Sequence, residues 1–402
     1  MSDINKLLDE LNILCESEEN IRRLSLWRSD ECGIRGETQW HGVPNYSVES
    51  TNPMPVTTEC LDTIWQNALG LDLSRYFTDP DYFLEYYLKI KLRKFKDFKD
   101  DTPLTRDIPV SFGVTHEAGI LGQEIFLDHG EEPSFSRQSI VDENTEFPES
   151  INFRENEYLQ MVIGFYGKVK KQVGEEFNVI FPHWFRGPQG VALYIRGFEE
   201  FSVDLYMNED LTHRILRFVT NVARDFVQWR SEYLDEPIAR GDLFNDDIPI
   251  MSPKFYSKYF LPYEQELCDF YNGIYYWHSC GDITKHVPEI HRLSDITLFD
   301  FGVSMEYKGA GIEGLRAPQT LELRVFAQHH IQECSEEESK SYIRQIVEDC
   351  RKGEITRYVI RSSGMSVFLG VEKDLEKLMR WVELVREVQD EFIKSDNVTR
   401  MV

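Results

Sequence analysis

The stretch GIYYWHSCGDITKHVPEIHRLSDITLFD, residues 273–300, decides how the chain is read. Its first aromatic and β-branched run, Ile274 to His278, has the composition of a buried strand. DITKHVPEIHRL reads as a helix, and DITLFD (295–300) as a second strand. Strand, helix and strand in so short a span form a βαβ unit, whose two strands run parallel through a right-handed crossover.

The same alternation continues on both sides. Downstream, ELRVFA (322–327) leads into SEEESKSYIRQIVEDCRK, where Ser335 and Glu338 form a capping box and Gly353 ends the helix. RYVI (357–360) leads into the loop RSSGMS and a last helix over roughly 371–393. Upstream, IPVSFGV (108–114), FNVIF (177–181) and EPIARGD (236–242) are strand candidates. Helices are expected over about 156–173 and over 208–234, the latter capped by Asn208. Ser252-Pro253 opens another helix, which Pro262 should kink or break. About seven strands alternating with helices point to a (β/α)8 barrel. An open doubly wound sheet is the alternative, but no GxGxxG follows a first strand. The first hundred residues read as helices and loops, with NIRRLSLWRSDE and DPDYFLEYYLKIKLRKFKDF as helical candidates. The expected organisation is therefore an N-terminal helical extension, residues 1–104, packed on a barrel of residues 105–402.

The chain has 402 residues, 41 % apolar, which is ample for a large core. Seventy acidic residues against 44 basic ones give a formal charge of −26. Such a surface repels phosphate backbones and anionic lipid, so neither nucleic acid nor a membrane is an expected partner. The N-terminus is acidic and amphipathic, without the features of a secretory signal. Seven cysteines at scattered positions do not form a disulfide framework, and a reducing cytoplasm is the expected location.

Ligands bind at the carboxyl ends of parallel strands in either architecture. Those ends deliver Thr115, His116 and Glu117; His183; Asn245, Asp246 and Asp247; His278 and Cys280; Asp300; Gln328, His329 and His330; and Arg361, Ser362 and Ser363. An imidazole and a thiol one residue apart suit zinc, which takes nitrogen, sulfur and carboxylate oxygen. A buried thiol beside an ordinary histidine is the competing reading of the same pair. Asp246 and Asp247 read equally well as a solvated turn, and His329 and His330 as loop residues.

The segments RGPQGVALYIRGFEEFSVDLY (186–206), GDLFNDDIPIMSPKFYSKYFLPY (241–263) and YYWHSCGDI (275–283) resemble the uroporphyrinogen decarboxylase superfamily, and within it the methyltransferases that work with corrinoid proteins. The resemblance implies a (β/α)8 barrel, in agreement with the alternation. The arginine-containing motif of true uroporphyrinogen decarboxylases has no counterpart, because VTTECLDTIWQNALG contains no arginine. Haem-pathway decarboxylation is therefore not expected. By the resemblance, His278 and Cys280 match the zinc-binding pair. The second cysteine of those enzymes is replaced where Ser362 and Ser363 stand, and Asp300 is the matching acidic ligand. Replacing a thiolate by oxygen leaves zinc more electrophilic and better suited to an oxygen-linked methyl group. The activity this implies is methyl transfer from an O-methyl donor to the cobalamin of a partner corrinoid protein. Asp247 and His183 are the expected positioning or proton-transfer residues, and a homodimer is common among such proteins. Two alternatives stand beside it. One is transfer from the corrinoid to coenzyme M or a folate. The other is a non-catalytic barrel that docks on a corrinoid protein.

Overall fold

The computed structural model describes residues 3–35, 39–45, 53–300, 302, 320–355 and 357–400. Eight short parallel strands run through it: β1 Val56–Cys60, β2 Asp107–Pro109, β3 Asn178–Ile180, β4 Gly241–Phe244, β5 Ile274–His278, β6 Ile296–Asp300, β7 Thr320–Phe326 and β8 Tyr358–Met365. Six of them form one sheet in the order β1-β8-β7-β6-β5-β4, and β2 pairs with β3. The β3–β4 seam is closed by a bridge between Arg186 and Phe244. At the β1–β2 seam two carboxylates stand in for a ladder. Asp101 accepts from Val56 N–H at 2.9 Å, and Asp100 from Thr58 N–H at 2.9 Å. The result is the expected (β/α)8 barrel.

Several elements lie where the sequence placed them. Asp79 caps the helix Pro80–Asp97, Asn208 caps Glu209–Leu234, and Ser335 and Glu338 form the capping box of Glu336–Lys352. Pro262 acts as expected. A π-turn over Tyr256–Phe260 precedes it, with Leu261 N–H bonded to Tyr256 C=O, and Leu261–Phe270 then runs on with the proline in its first turn.

Other readings need correction. Val56–Cys60 is a strand of the sheet, although it lies in the segment read as helices and loops. NIRRLSLWRSDE is helical only to Ser25; Trp27–Arg35 pairs antiparallel with Gln39–Pro44. β-branched content is low there, so the local signal was weak. The strand expected at 236–242 lies at Gly241–Phe244. Of DITKHVPEIHRL only Val287–Ile290 is α-helical, because Asp282 folds the preceding residues into a turn by accepting from Thr284, and Pro288 suits only a helix start. Arg361, Ser362 and Ser363 belong to β8, not to a loop. Most of the Gly-rich loop expected after Asp300 lies outside the described residues.

The barrel interior is partly ionic. Side chains two apart on a strand share a face, so Glu322 and Arg324 of β7, Arg361 and Ser363 of β8, and Tyr276 and His278 of β5 all face inward. Arg361 Nε lies 3.0 Å from Glu322 Oε1, and Glu322 Oε2 lies 2.9 Å from His41 Nδ1. His41 stacks on Tyr276, so the N-terminal hairpin joins the interior network. Removing one partner of such a buried pair strands the other charge. Arg361→Ala should lower unfolding free energy by about 3–5 kcal/mol, measured by urea denaturation.

Candidate metal-binding site at the barrel mouth

Strand register builds the site. Phe244 of β4 and Asp300 of β6 are both register partners of His278 on β5. Asn245 N–H donates to His278 C=O, and Ser279 N–H to Asp300 C=O, so the ladder runs on past the strand ends. Asp246 and Cys280, the next residues out, are thereby brought together, and Cys280 N–H donates to Asp246 Oδ1 at 2.9 Å. Gly302 is required by this packing. Its φ is +76°, and a Cβ there would lie 2.5 Å from the Ser279 carbonyl oxygen.

His278 has distinct partners at its two nitrogens. Nδ1 lies 2.6 Å from Asp300 Oδ2, which also accepts from Tyr276 Oη at 2.7 Å. Nε2 lies 3.2 Å from Cys280 Sγ and 3.2 Å from Asp246 Oδ1. Among the described residues, one donor atom each from Asp246, His278 and Cys280 lie within 4.8 Å of one another. Nitrogen, sulfur and oxygen donors at such spacing fit zinc. Asp300 is not in this set. It is fully buried behind the imidazole, where it fixes the ring, and its other oxygen accepts from Gly302 N–H. Asp246 takes the place expected of Asp300.

The electrostatics suit a cation. Burial disfavours charge on His278, but Asp300 and Asp246 outweigh it and hold the imidazolium well above the ordinary histidine range. Asp246 is held well below the usual carboxylate range: burial opposes this, and His278 and Arg186 prevail. Arg186 reaches Asp246 with Nη1. Glu117, wholly buried, places Arg186 by accepting the backbone N–H groups of Phe185 at 2.8 Å and Arg186 at 3.0 Å.

The remaining strand-end residues part company with this group. Asp247 faces the helix Pro188–Arg196, its Oδ2 3.5 Å from where a Cβ of Gly190 would stand, and burial raises its pKa. His183 is half-buried and is not among the converging residues. His116 packs on Phe226, His329 pairs with Glu333, and His330 stacks on Tyr342. Ser363 bonds Glu59 Oε2 at 2.8 Å and also meets Arg324. Trp184 and Trp277 are core, while Tyr276 belongs to the interior network. The sequence reading missed Arg186, Glu59 and Arg324. Polar residues at every second position of otherwise apolar strands were the available signal.

Residues 87–388 match the uroporphyrinogen decarboxylase family. The chain belongs to that family. A methyltransferase from Methanosarcina mazei has the same fold, with a TM-score of 0.58 at 14 % identity over 87 % of this chain and 99 % of that one. No curated protein matches the sequence.

Behind the site, fully buried Glu264 accepts from Tyr256 Oη at 2.7 Å. It also faces Asn245 and Trp277, the neighbours of Asp246 and His278.

These contacts set the response of the site to mutation and to pH. Cys280→Ala and Asp246→Asn should abolish stoichiometric zinc in metal analysis. Asp300→Asn should weaken zinc affinity by about 10–100-fold. Affinity in all forms that retain His278 should fall at low pH, because the metal displaces the imidazole proton. Stability should respond through Glu264, which burial raises from 4.5 to about 7. A raised folded pKa favours folding below the unfolded value, and that advantage is lost as pH climbs through the folded value. Wild-type stability should thus fall across this window by about 3 kcal/mol, and Glu264→Gln should flatten the fall in denaturation curves.

Proposed function

We propose that the protein is a corrinoid-protein-dependent methyltransferase that takes a methyl group from an O-methyl donor and passes it to the cobalamin of a partner corrinoid protein. The observation that carries this reading is the mixed donor set of His278, Cys280 and Asp246 at the mouth of a barrel of this family. One thiolate with an imidazole and a carboxylate is a harder set than two thiolates, and harder sets favour oxygen over sulfur. Zinc held there would supply Lewis acidity toward the oxygen that leaves as the methyl group departs.

The chain's own residues bind and orient. Asp300 fixes the His278 ring so that Nε2 faces the donor group. Glu117 and Arg186 hold Asp246 in place. Asp247, kept closer to neutrality by burial, is the proton-transfer group in this reading.

The test is a pair of assays with reduced corrinoid protein. Demethylation of alkyl and aryl methyl ethers is expected, together with little methylation of thiols from methylcobalamin. Efficient thiol methylation without ether demethylation would reverse the assigned direction. Tight corrinoid-protein docking that survives Cys280→Ala, with no activity in either assay, would make the barrel a docking subunit.

A further inference from the structure

A cavity of about 230 Å³ lies at the carboxyl ends of β1 and β2, bounded by Glu59 and Cys60 on one strand and by Ser111 and Val114 after the other. It opens there because Asp100 and Asp101, and not a second strand, satisfy the edge of β1. We propose that this cavity is a ligand site for an uncharged, single-ring aromatic molecule that carries an oxygen acceptor.

Size and lining select the ring. A dry cavity of about 150 Å³ already holds benzene, so a substituted benzene fits this one. Trp65, Phe83 and Phe95 supply aromatic wall. The oxygen acceptor is called for by Trp40, which lines the cavity, is only 5 % exposed, and has an indole N–H without a hydrogen-bond partner. An unmet buried donor costs free energy that a ligand oxygen would recover.

Neutrality is dictated by the charges on the wall, which are already matched. Glu59 accepts from Ser363 at 2.8 Å and from Gln39 at 2.5 Å, and lies 3.5 Å from Arg324. Lys91 donates to Asp107 C=O at 2.7 Å. Lys94 donates to Thr58 C=O and lies 4.0 Å from Asp100. A charged ligand would lose its hydration with no counter-charge waiting.

The cavity also communicates with the donor group. Glu59 contacts Arg324, Arg324 lies 3.5 Å from Asp300, and Asp300 holds His278. Aryl methyl ethers belong to the class the cavity selects. That link rests on the methyl-transfer reading, whereas the site does not, since binding is measured without corrinoid, metal or turnover.

The experiment titrates the full-length protein with anisole, benzoate and benzylamine, read by tryptophan fluorescence and calorimetry. Saturable anisole binding is expected, with both charged rings at least about tenfold weaker. Trp40→Phe, which removes the N–H and keeps a ring, should weaken anisole about fivefold. Val114→Phe should fill the space and abolish binding. Circular dichroism checks that each variant is folded, and the probe series on the wild type stands without them. No saturable anisole binding, equal binding of a charged ring, or full affinity in folded Val114→Phe would each overturn the assignment.

Discussion

The in-register pairing of His278 with Asp300 across two parallel strands is the constraint on which the rest depends. Parallel register sets both side chains on the inner face at one level, so a carboxylate meets an imidazole at 2.6 Å with no freedom to drift. Nδ1 is thereby committed, and Nε2 must face the mouth. The third strand, ending at Phe244, is held to the same level, which brings Asp246 alongside Cys280. Three donors from two separate turns meet because the backbone ladder, not the turns themselves, fixes their height.

A charged interior is unusual for a barrel filled by branched apolar side chains. Here Glu59, Asp300 and Glu322 face Arg324, Arg361 and His41 inside it. Each pair costs desolvation and is stable because its members are held with further hydrogen bonds. Tyr276, for example, donates to Asp300 and lies 3.2 Å from Glu322. This network makes the barrel centre a rigid polar scaffold. It joins the donor group near β4 and β5 to the cavity near β1 and β2 through contacts of known partners.

The serines at 362 and 363 show how a resemblance transfers in part. They lie inside β8, and Ser363 serves Arg324 and Glu59. The oxygen donor near His278 comes from Asp246, on the other side of the pair. A carboxylate already pinned by Arg186 and by Cys280 N–H has the fixed position that a metal ligand needs.

The sequence by itself determined the alternation of strands and helices, the caps at Asp79, Asn208 and Ser335, the break at Pro262, and the pairing of His278 with Cys280 on one strand end. All of these are local, set by side-chain period, φ restriction or short hydrogen bonds. Only the tertiary structure decided that Asp246 and not Asp300 faces Cys280, that Asp247 turns toward Gly190, and that Val56–Cys60 joins the sheet. Those outcomes depend on register between strands distant in sequence and on which face a turn residue takes. Asp246 and Asp247 are chemically identical neighbours, so nothing local separates them. What separates them is the backbone of Cys280, which reaches one and not the other.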